Sequence, residues 1–489
     1  MMDVLSILGQ MAESSGDPRV RTLMKALTST QQGTNLSSLT GGGALRAESL
    51  ETDLALATVK NEHFKIYNRL FAGRKTTWSL IDQKVVQDSI GGFPGSSISN
   101  ETGSNMSDRN GNYSRVITEC KLFNEYGSVT VPTALQSTIQ AGAGIVDFTA
   151  QEQEVFSALT RVLSSVEWSI LFGDKSIDSL EFTGLIPAIT AQASSNVVDA
   201  RGAAVNTGAA VSSLAARLST YGKFGAVDVA YMSPLVKADF DAHLESNYRV
   251  NLDANIPNTT LGAMVKGVRY NALSGGSGMF DLEPHIFLDE NMRAPRLAYA
   301  PDGVSGNAPA SVAAVASAAS NDYFESDHAG AYYYCVEAAG AGYCSAPTVS
   351  SAAVTVAAGN KVVLTIAQSS DGAETYYNVY RSKQGGSNTA ADMRFIGRVV
   401  KGGTTTTFTD LNTSIPGTSN IIMLTTGKEA DALRWLQMIP PAKIPMAMTT
   451  LAYRFACLYI AALRVTLPKK HGMLINVLPS SATWKPFTS

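Results

Sequence analysis

The sequence predicts an α+β protein interrupted late in the chain by an all-β segment. Three observations carry this. Residues 152–172 keep one apolar helical face through Val155, Leu159, Val162, Leu163, Val166 and Ile170. Strand-like stretches are interspersed with helices in the first two thirds, without a regular βαβ repeat. From residue 321 helical patterning stops, and AYYYCVEA, AAVTVAA, KVVLTIA, YYNVYRS, FIGRVV and TTTFTD follow at short intervals with Gly-rich turns between them, the pattern of a β-sandwich.

In chain order, residues 1–27 read as two short amphipathic helices, the second opened by Asp17 with Pro18 behind it. Residues 28–43 (TSTQQGTNLSSLTGGG) have linker composition, so residues 1–43 form an arm and the fold proper starts near Ala44. Leu50, Leu54 and Val59 are then spaced for a helix. Residues 90–112 are a run of Gly, Ser and Asn between strand-like stretches 78–86 and 113–123, which makes a long hairpin with a loose tip. A loop of that length is usually functional or held by something outside its own domain.

In the helix 152–172, Thr149 and Glu152 form a capping box and Gly173 supplies the stop. A strand at 227–231 leads through Ser233 and Pro234 into a helix over 234–244, with Leu235, Val236, Phe240 and Leu244 inward. Residues 267–270 and 285–288 read as strands. Residues 301–320 read as a linker, 327–419 as the inserted sandwich with Tyr333, Val363, Leu364, Tyr377, Val379 and Phe408 as inward candidates, and 428–437 as a return to helix. Residues 420–489 close the α+β host around an apolar stretch, 455–467.

Composition limits the function. The 489 residues suit two to four domains, and 41 acidic against 38 basic residues leave a net charge of −3, which excludes a polybasic nucleic-acid or membrane-surface binder. Charged residues make up 16% of the chain, below the roughly 25% usual in soluble proteins, and small neutral residues replace them. Such a surface suits a protein covered by neighbours. Met1-Met2-Asp3-Val4-Leu5 shows no secretory pattern, so cytoplasmic synthesis is expected. The stretch 455–463, between Arg454 and Arg464, is shorter than the roughly 20 residues of a membrane helix, and no membrane partner is expected.

Catalytic and cofactor chemistry has no sequence signature here. HExxH, the P-loop, GxSxG and GxGxxG are absent, the five histidines are scattered, and Cys120, Cys335, Cys344 and Cys457 form no CxxC pair and read as free thiols. Glu167 reads as a solvated or interface residue, and Asp281 and Glu283 as turn-edge acids. No catalytic, cofactor or metal residue is expected.

A family resemblance joins these pieces. The arm, the segment GGGALRAESLETDLALA, the loop with Phe93, Glu101-Thr102-Gly103 and Tyr113-Ser114-Arg115, and Lys121 with Tyr126-Gly127-Ser128-Val129-Thr130 resemble the N-terminal half of tailed-bacteriophage major capsid proteins of the Hong Kong-97 fold. The helix ending Val166-Glu167-Trp168 is similar to their spine helix. Val229-Ala230-Tyr231-Met232-Ser233-Pro234 resembles a step of their axial domain, and LRVTLPKKHGMLINV their closing strands. The resemblance implies a capsid core over 44–326 and 420–489, with an extended E-loop at about 76–123, a spine helix at about 150–173 and axial elements at about 225–295. Phe93, Glu101, Tyr113 and Arg115 become candidate E-loop contacts to a neighbouring subunit.

The same resemblance implies a non-enzymatic virion protein assembled in the host cytoplasm. Its copies would form hexamers and pentamers of an icosahedral shell, with a portal, possible scaffold or decoration proteins, and double-stranded DNA on the inner face without sequence specificity. Some relatives cross-link an E-loop lysine to an asparagine. Lys75 and Lys84 lie on the hairpin arm, but no asparagine or glutamate partner is identifiable, so no cross-link is expected. The insertion resembles fibronectin type III and immunoglobulin-like modules through Tyr376-Tyr377-Asn378-Val379-Tyr380-Arg381-Ser382 and Thr407-Phe408-Thr409-Asp410. Two other readings stay open: an encapsulin-like cage, and a surface adhesin or carbohydrate binder suggested by the sandwich alone.

Overall fold

The computed structural model describes residues 58–91, 110–142, 149–205, 208–221, 224–247, 272–275, 278–293, 307–320, 323–340, 343–389, 392–427, 431–448 and 450–487. The chain divides into two compact units, one of residues 1–57 and 132–150 and one of 58–131 and 151–489. The expected arm, the helix after Ala44, the strand at 267–270, and Phe93 and Glu101 lie outside the described residues.

Helix α1 (Lys65–Ala72) buries Ile66, Tyr67 and Leu70, and is followed by strands β1 (Lys75–Thr76), β2 (Ile81–Ser89), β3 (Asn112–Glu119) and β4 (Lys121–Thr130). The single strand expected at 113–123 is therefore two. Buried Cys120 marks the break, its N–H turned aside to donate to the Leu80 carbonyl at 2.7 Å. In the smaller unit, helix α2 (Val131–Gly142) carries hydroxyls of Ser137 and Thr138 that donate back to the Ala134 carbonyl at 3.0 and 2.7 Å.

Helix α3 (Ala150–Phe172) forms where the apolar period required it. Val162, Val166 and Ile170 are fully covered, and Val155, Leu159 and Leu163 pack at the margin of the same core. By length and composition α3 could cross a membrane, yet this face is buried against protein. Facing it, strands β20 (Leu433–Pro445) and β21 (Ala452–Val465) pair antiparallel in a four-stranded sheet of order β1-β20-β21-β4. The helix expected at 428–437 is thus largely a strand. Leu433 and Trp435 alternate into the core, and the Trp435 indole donates to the Tyr459 hydroxyl at 2.7 Å across the ladder. Pro440 and Pro441, which lack ladder donors, fall where the register slips between Ile439 and Ala442. Strand pairing outweighed the local helical pattern.

Helices α4 (Leu185–Gln192), α5 (Gly208–Tyr221) and α6 (Pro234–Asn247) accompany a six-stranded sheet of order β5-β22-β19-β6-β8-β7, whose strands are β5 (Val197–Asp199), β6 (Val229–Met232), β7 (Ala272–Gly275), β8 (Gly278–Pro284), β19 (Ser419–Leu424) and β22 (Gly472–Val477). Two late strands, β19 and β22, fill the gap between β5 and β6, so the end of the chain completes the sheet begun in its middle. Val211, Leu214 and Leu218 of α5 and Val236 and Phe240 of α6 share a second core on this sheet. Leu235, expected inward, is exposed, and the Leu244 side chain is outside the described set. The strand expected at 285–288 is a single 3-10 turn, Ile286–Leu288; β8 ends at Pro284, which has no N–H of its own to offer the ladder, and the His285 N–H makes the last bond, to the Met232 carbonyl at 2.7 Å.

His471, fully buried between β21 and β22, accepts the Thr425 N–H at Nδ1 (3.2 Å), and burial pushes its pKa down to about 4. In the unfolded chain an imidazole titrates near 6.5. The folded state therefore binds fewer protons. The stability this group contributes is complete above about pH 6.5 and is lost as pH falls through 6.5 toward 4, on the order of 3 kcal/mol. The urea midpoint should fall over that window, and His471→Gln should flatten the fall; identical profiles would contradict the assignment.

The β-rich stretch holds β9 (Ser311–Ala318), β10 (Gly330–Tyr332), β11 (Tyr334–Gly340), β12 (Tyr343–Cys344), β13 (Thr348–Val349), β14 (Val354–Val356), β15 (Asn360–Ala367), β16 (Tyr376–Ser382), β17 (Met393–Val400) and β18 (Thr405–Asp410). Strands β18-β15-β9 form one sheet and β12-β11-β16-β17, with β13 on β11, another; Val362, Leu364, Ile366, Val336, Tyr377 and Val379 from the two share a core. Of the linker expected at 301–320, residues 301–306 lie outside the described set, and over 311–318 the linker reading fails because β9 pairs along the whole of β15. Its Ala and Ser are small residues of a packed strand. Val363 and Leu364 were both expected inward, which alternation forbids: Leu364 is buried and Val363 points the other way. Leu364, Tyr377 and Val379 are core, Phe408 lines it, and Tyr333 joins a smaller cluster with Cys335, Tyr380 and Met393. Cys335 and Cys344 form no disulfide and stand opposite different residues, Val349 and Ala339.

Within this stretch Arg381 is fully buried. Asp410 accepts from it at 2.6 Å and Asn412 at 2.9 Å, while the Phe324 and Tyr332 rings lie 4.9 and 5.2 Å from the guanidinium. Such a charge is tolerated inside only because it is paired and hydrogen-bonded there.

Candidate assembly surface

Strands β2 and β3 pair with each other and with no other strand among the described residues. Their register places Ile81, Gln83, Val85 and Gln87 opposite Glu119, Ile117, Arg115 and Tyr113 on one face, and Asp82, Lys84 and Val86 opposite Thr118, Val116 and Ser114 on the other. The second face is turned inward. Val86 is buried, Asp82 accepts from Lys75 at 2.8 Å and from Arg464 at 2.5 Å, and Lys84 lies 3.5 Å from Asp431. The two lysines of the hairpin arm are thus the cationic partners of Asp82 and Asp431.

The first face is open. Ile81, Val85, Tyr113 and Ile117 are 52%, 61%, 65% and 58% exposed, and at the hairpin base Trp78 is 94% exposed. Four large apolar side chains lie on this one face of a ribbon with one ladder, each opposite a polar residue and diagonal to the next, and exposed apolar groups gathered in this way mark an interaction site. A two-stranded hairpin is marginal alone, so its base must be held. Glu119 provides this at the end of β3, paired with Lys175 (2.8 Å) and Lys121 (3.1 Å), which keep its carboxyl below the usual range. Lys121 also donates to the Ser179 carbonyl at 2.8 Å.

Of the four residues expected here, Tyr113 and Arg115 lie on the open face of β3, two positions apart, and both are exposed. Sequence reasoning missed Ile81, Val85 and Ile117. Alternation within residues 81–89 was available as a signal, but only the register with β3 shows which parity is free.

The segment entering the hairpin is fixed by a residue that sequence reasoning placed in solvent or at an interface. Glu167 of α3 is fully buried; its Oε1 accepts from Ile66 N at 3.0 Å and its Oε2 from Tyr67 N at 2.9 Å. These are first-turn amides of α1, whose N-cap, Phe64, has no side-chain acceptor. Glu167 therefore caps a helix about a hundred residues upstream. His285 Nδ1 accepts from Phe287 N at 3.2 Å, which leaves the proton on Nε2, and that N–H donates to Glu167 Oε1 at 2.6 Å. One carboxylate thus ties α1, α3 and the turn after β8 together. Its position four residues after Leu163, on the apolar stripe, was the available clue.

Glu283 pairs with Arg69 at 3.5 Å, and no group of three or more His, Cys, Asp or Glu able to hold a metal occurs among the described residues.

No family model matches the chain. Over 455 residues it is 26% identical to the major capsid protein of Staphylococcus phage S25-3, an alignment covering 89% of this chain and 90% of that protein. The major capsid protein of Staphylococcus phage K is similar to the same extent, 26% over 455 residues. Among solved structures, the capsid of Myoviridae Phage XM1 covers 91% of this chain at 10% identity and a TM-score of 0.38, with 99% of that chain matched. The holo-SrpI encapsulin complex from Synechococcus elongatus covers 89%, with 94% of that chain matched, at 9% identity and a TM-score of 0.42. Structural likeness at these scores carries no argument beside the sequence relationship.

Proposed function

We infer that this chain is the major capsid protein of a tailed bacteriophage, a structural subunit whose copies associate into the shell of the phage head. The observation that carries this is the sequence relationship to phage major capsid proteins along nearly the whole of both chains. The α+β architecture, the long central helix and the hairpin that pairs with no other strand among the described residues fit the same reading.

In finer detail, the subunit is of the Hong Kong-97 type: the hairpin β2–β3 is its E-loop, α3 its spine helix, and the six-stranded sheet the centre of its axial domain. The E-loop lies over a neighbouring subunit, with the stripe Ile81, Val85, Tyr113 and Ile117, together with Arg115, as its contact face. Phe93 and Glu101, in the loop between the strands, extend that contact. Copies form hexamers and pentamers of an icosahedral shell, a heterologous arrangement that closes by rotation. Double-stranded DNA occupies the interior without sequence-specific contacts, and a portal, with scaffold or decoration proteins where used, completes the head. The all-β stretch is an inserted sandwich of the immunoglobulin-like class.

Electron microscopy of the purified protein tests the reading. Closed icosahedral shells, or tubes and hexamers, are expected, and DNA-filled tailed particles on infection separate a phage head from an enzyme-filled cage. A monodisperse monomer with hydrolase or sugar-binding activity would overturn it.

A further inference from the structure

Modules joined through linkers move relative to their hosts by default, unless a specific interface holds them. Here the all-β stretch and the α+β host are joined by single ion pairs, Arg394 with Glu290 at 2.9 Å and Arg201 with Glu325, and by two contacts that each gather several groups. At the first, Arg398 of β17 donates to both oxygens of Glu181 at 2.7 and 2.9 Å and to the carbonyl of Phe172, the last residue of α3, at 3.1 Å. The guanidinium also sits 5.2 Å from the Trp168 ring. A cation at a helix C-terminus is favoured by the unpaired carbonyls there.

The second contact is made by the segment Trp484 to Phe487. The Pro486 carbonyl accepts from Gln384 N at 2.8 Å, the Phe487 ring stacks on His328 with centroids 3.7 Å apart, and Arg394 lies 5.1 Å from the Trp484 ring. Gln384, His328 and Arg394 all belong to the β-rich stretch or its edges. Two glycines seat the same segment from the other side, Gly202 in the host and Gly417 in the stretch between β18 and β19. Trp484 rests on Gly417, where a Cβ would come within 2.5 Å of its ring, and Phe487 rests on Gly202, where a Cβ would come within 3.2 Å. Both glycines have positive φ, +78° and +79°, so a side chain at either would strain the backbone, and at Gly417 it would also collide with the Trp484 ring.

We propose that Trp484 to Phe487 is a clasp which, with the Arg398 lock, joins the β-rich module and the α+β host into one cooperative unit, making the module a fixed strut of the subunit. Hydrogen exchange and calorimetry on the full-length chain test this. The unaltered protein should melt in one transition and show protection at the Gln384 amide. The double variant Trp484→Ala/Phe487→Ala should speed exchange at Gln384 at least tenfold and split the melt into two transitions, while amides of β15, such as Leu364, keep their protection. If the double variant fails to fold, Phe487→Leu, which keeps the apolar bulk and loses the stack on His328, should still speed exchange at Gln384. Two separate transitions in the unaltered protein, or unchanged exchange at Gln384 in whichever variant folds, would overturn the proposal.

Discussion

The double variant Val85→Glu/Ile117→Glu is expected to fold as the unaltered chain does and to form no closed shells. Both side chains project from the open face of the β2–β3 hairpin, 61% and 58% exposed. Substitutions at such positions usually change stability by no more than about 0.5 kcal/mol. In the proposed assembly the same face is covered, and burying an unpartnered carboxylate costs several kcal/mol per site. That penalty recurs at every subunit contact, so the effect on assembly should be close to complete while the melting curve is unmoved. Circular dichroism melts paired with sedimentation velocity and negative-stain images read the two quantities separately. Normal shells from the double variant would show that this face is not a contact, whereas loss of the folded subunit would show that it belongs to the intramolecular core.

Glu167→Ala should strike the fold itself rather than assembly, and strike it hard. It removes one carboxylate and leaves three buried donors without acceptors: Ile66 N, Tyr67 N and His285 Nε2–H. Breaking a buried, hydrogen-bonded charge at one partner typically costs about 3–5 kcal/mol. Glu167→Gln keeps the shape but has only one acceptor oxygen for the three donors, so its stability should fall between those of the unaltered chain and Glu167→Ala. Hydrogen exchange should locate the damage at the first turn of α1 and the turn after β8 before global unfolding. A loss under about 1 kcal/mol by urea denaturation would mean that water replaces the carboxylate and that the cluster is not a structural clasp.

How much was legible depended on the range of the interactions that decide each element. Helix α3 was readable because its apolar period and end signals are local, and α6 because Ser233 and Pro234 announce it; the Ser233 hydroxyl indeed lies 3.4 Å from Val236 N. The β-rich stretch was readable from alternation, although its first strand, β9, was hidden by the low hydrophobic contrast of Ala and Ser. Strand β20 reads as helix in isolation because periodicity over its first residues is ambiguous, and its long ladder with β21, extended by two residue pairs with β1 from the far end of the chain, overrides that local pattern.

The sequence by itself determined the class of the protein: α+β with a β-rich stretch near the end, a composition poor in charge, no motif of catalysis, and an order of segments like that of a phage capsid subunit. The tertiary structure decided what no local pattern encodes. It showed which face of the hairpin is free, because that depends on the β2–β3 register and on Asp82 being drawn to Lys75 and Arg464. It turned Glu167 from a surface acid into a buried cap, because the amides it serves and the histidine beside it come from segments about a hundred residues away on either side. Periodicity reports whether a side chain is apolar; whether a polar one is buried depends on donors brought to it by the rest of the chain, and those are fixed only when the chain has folded.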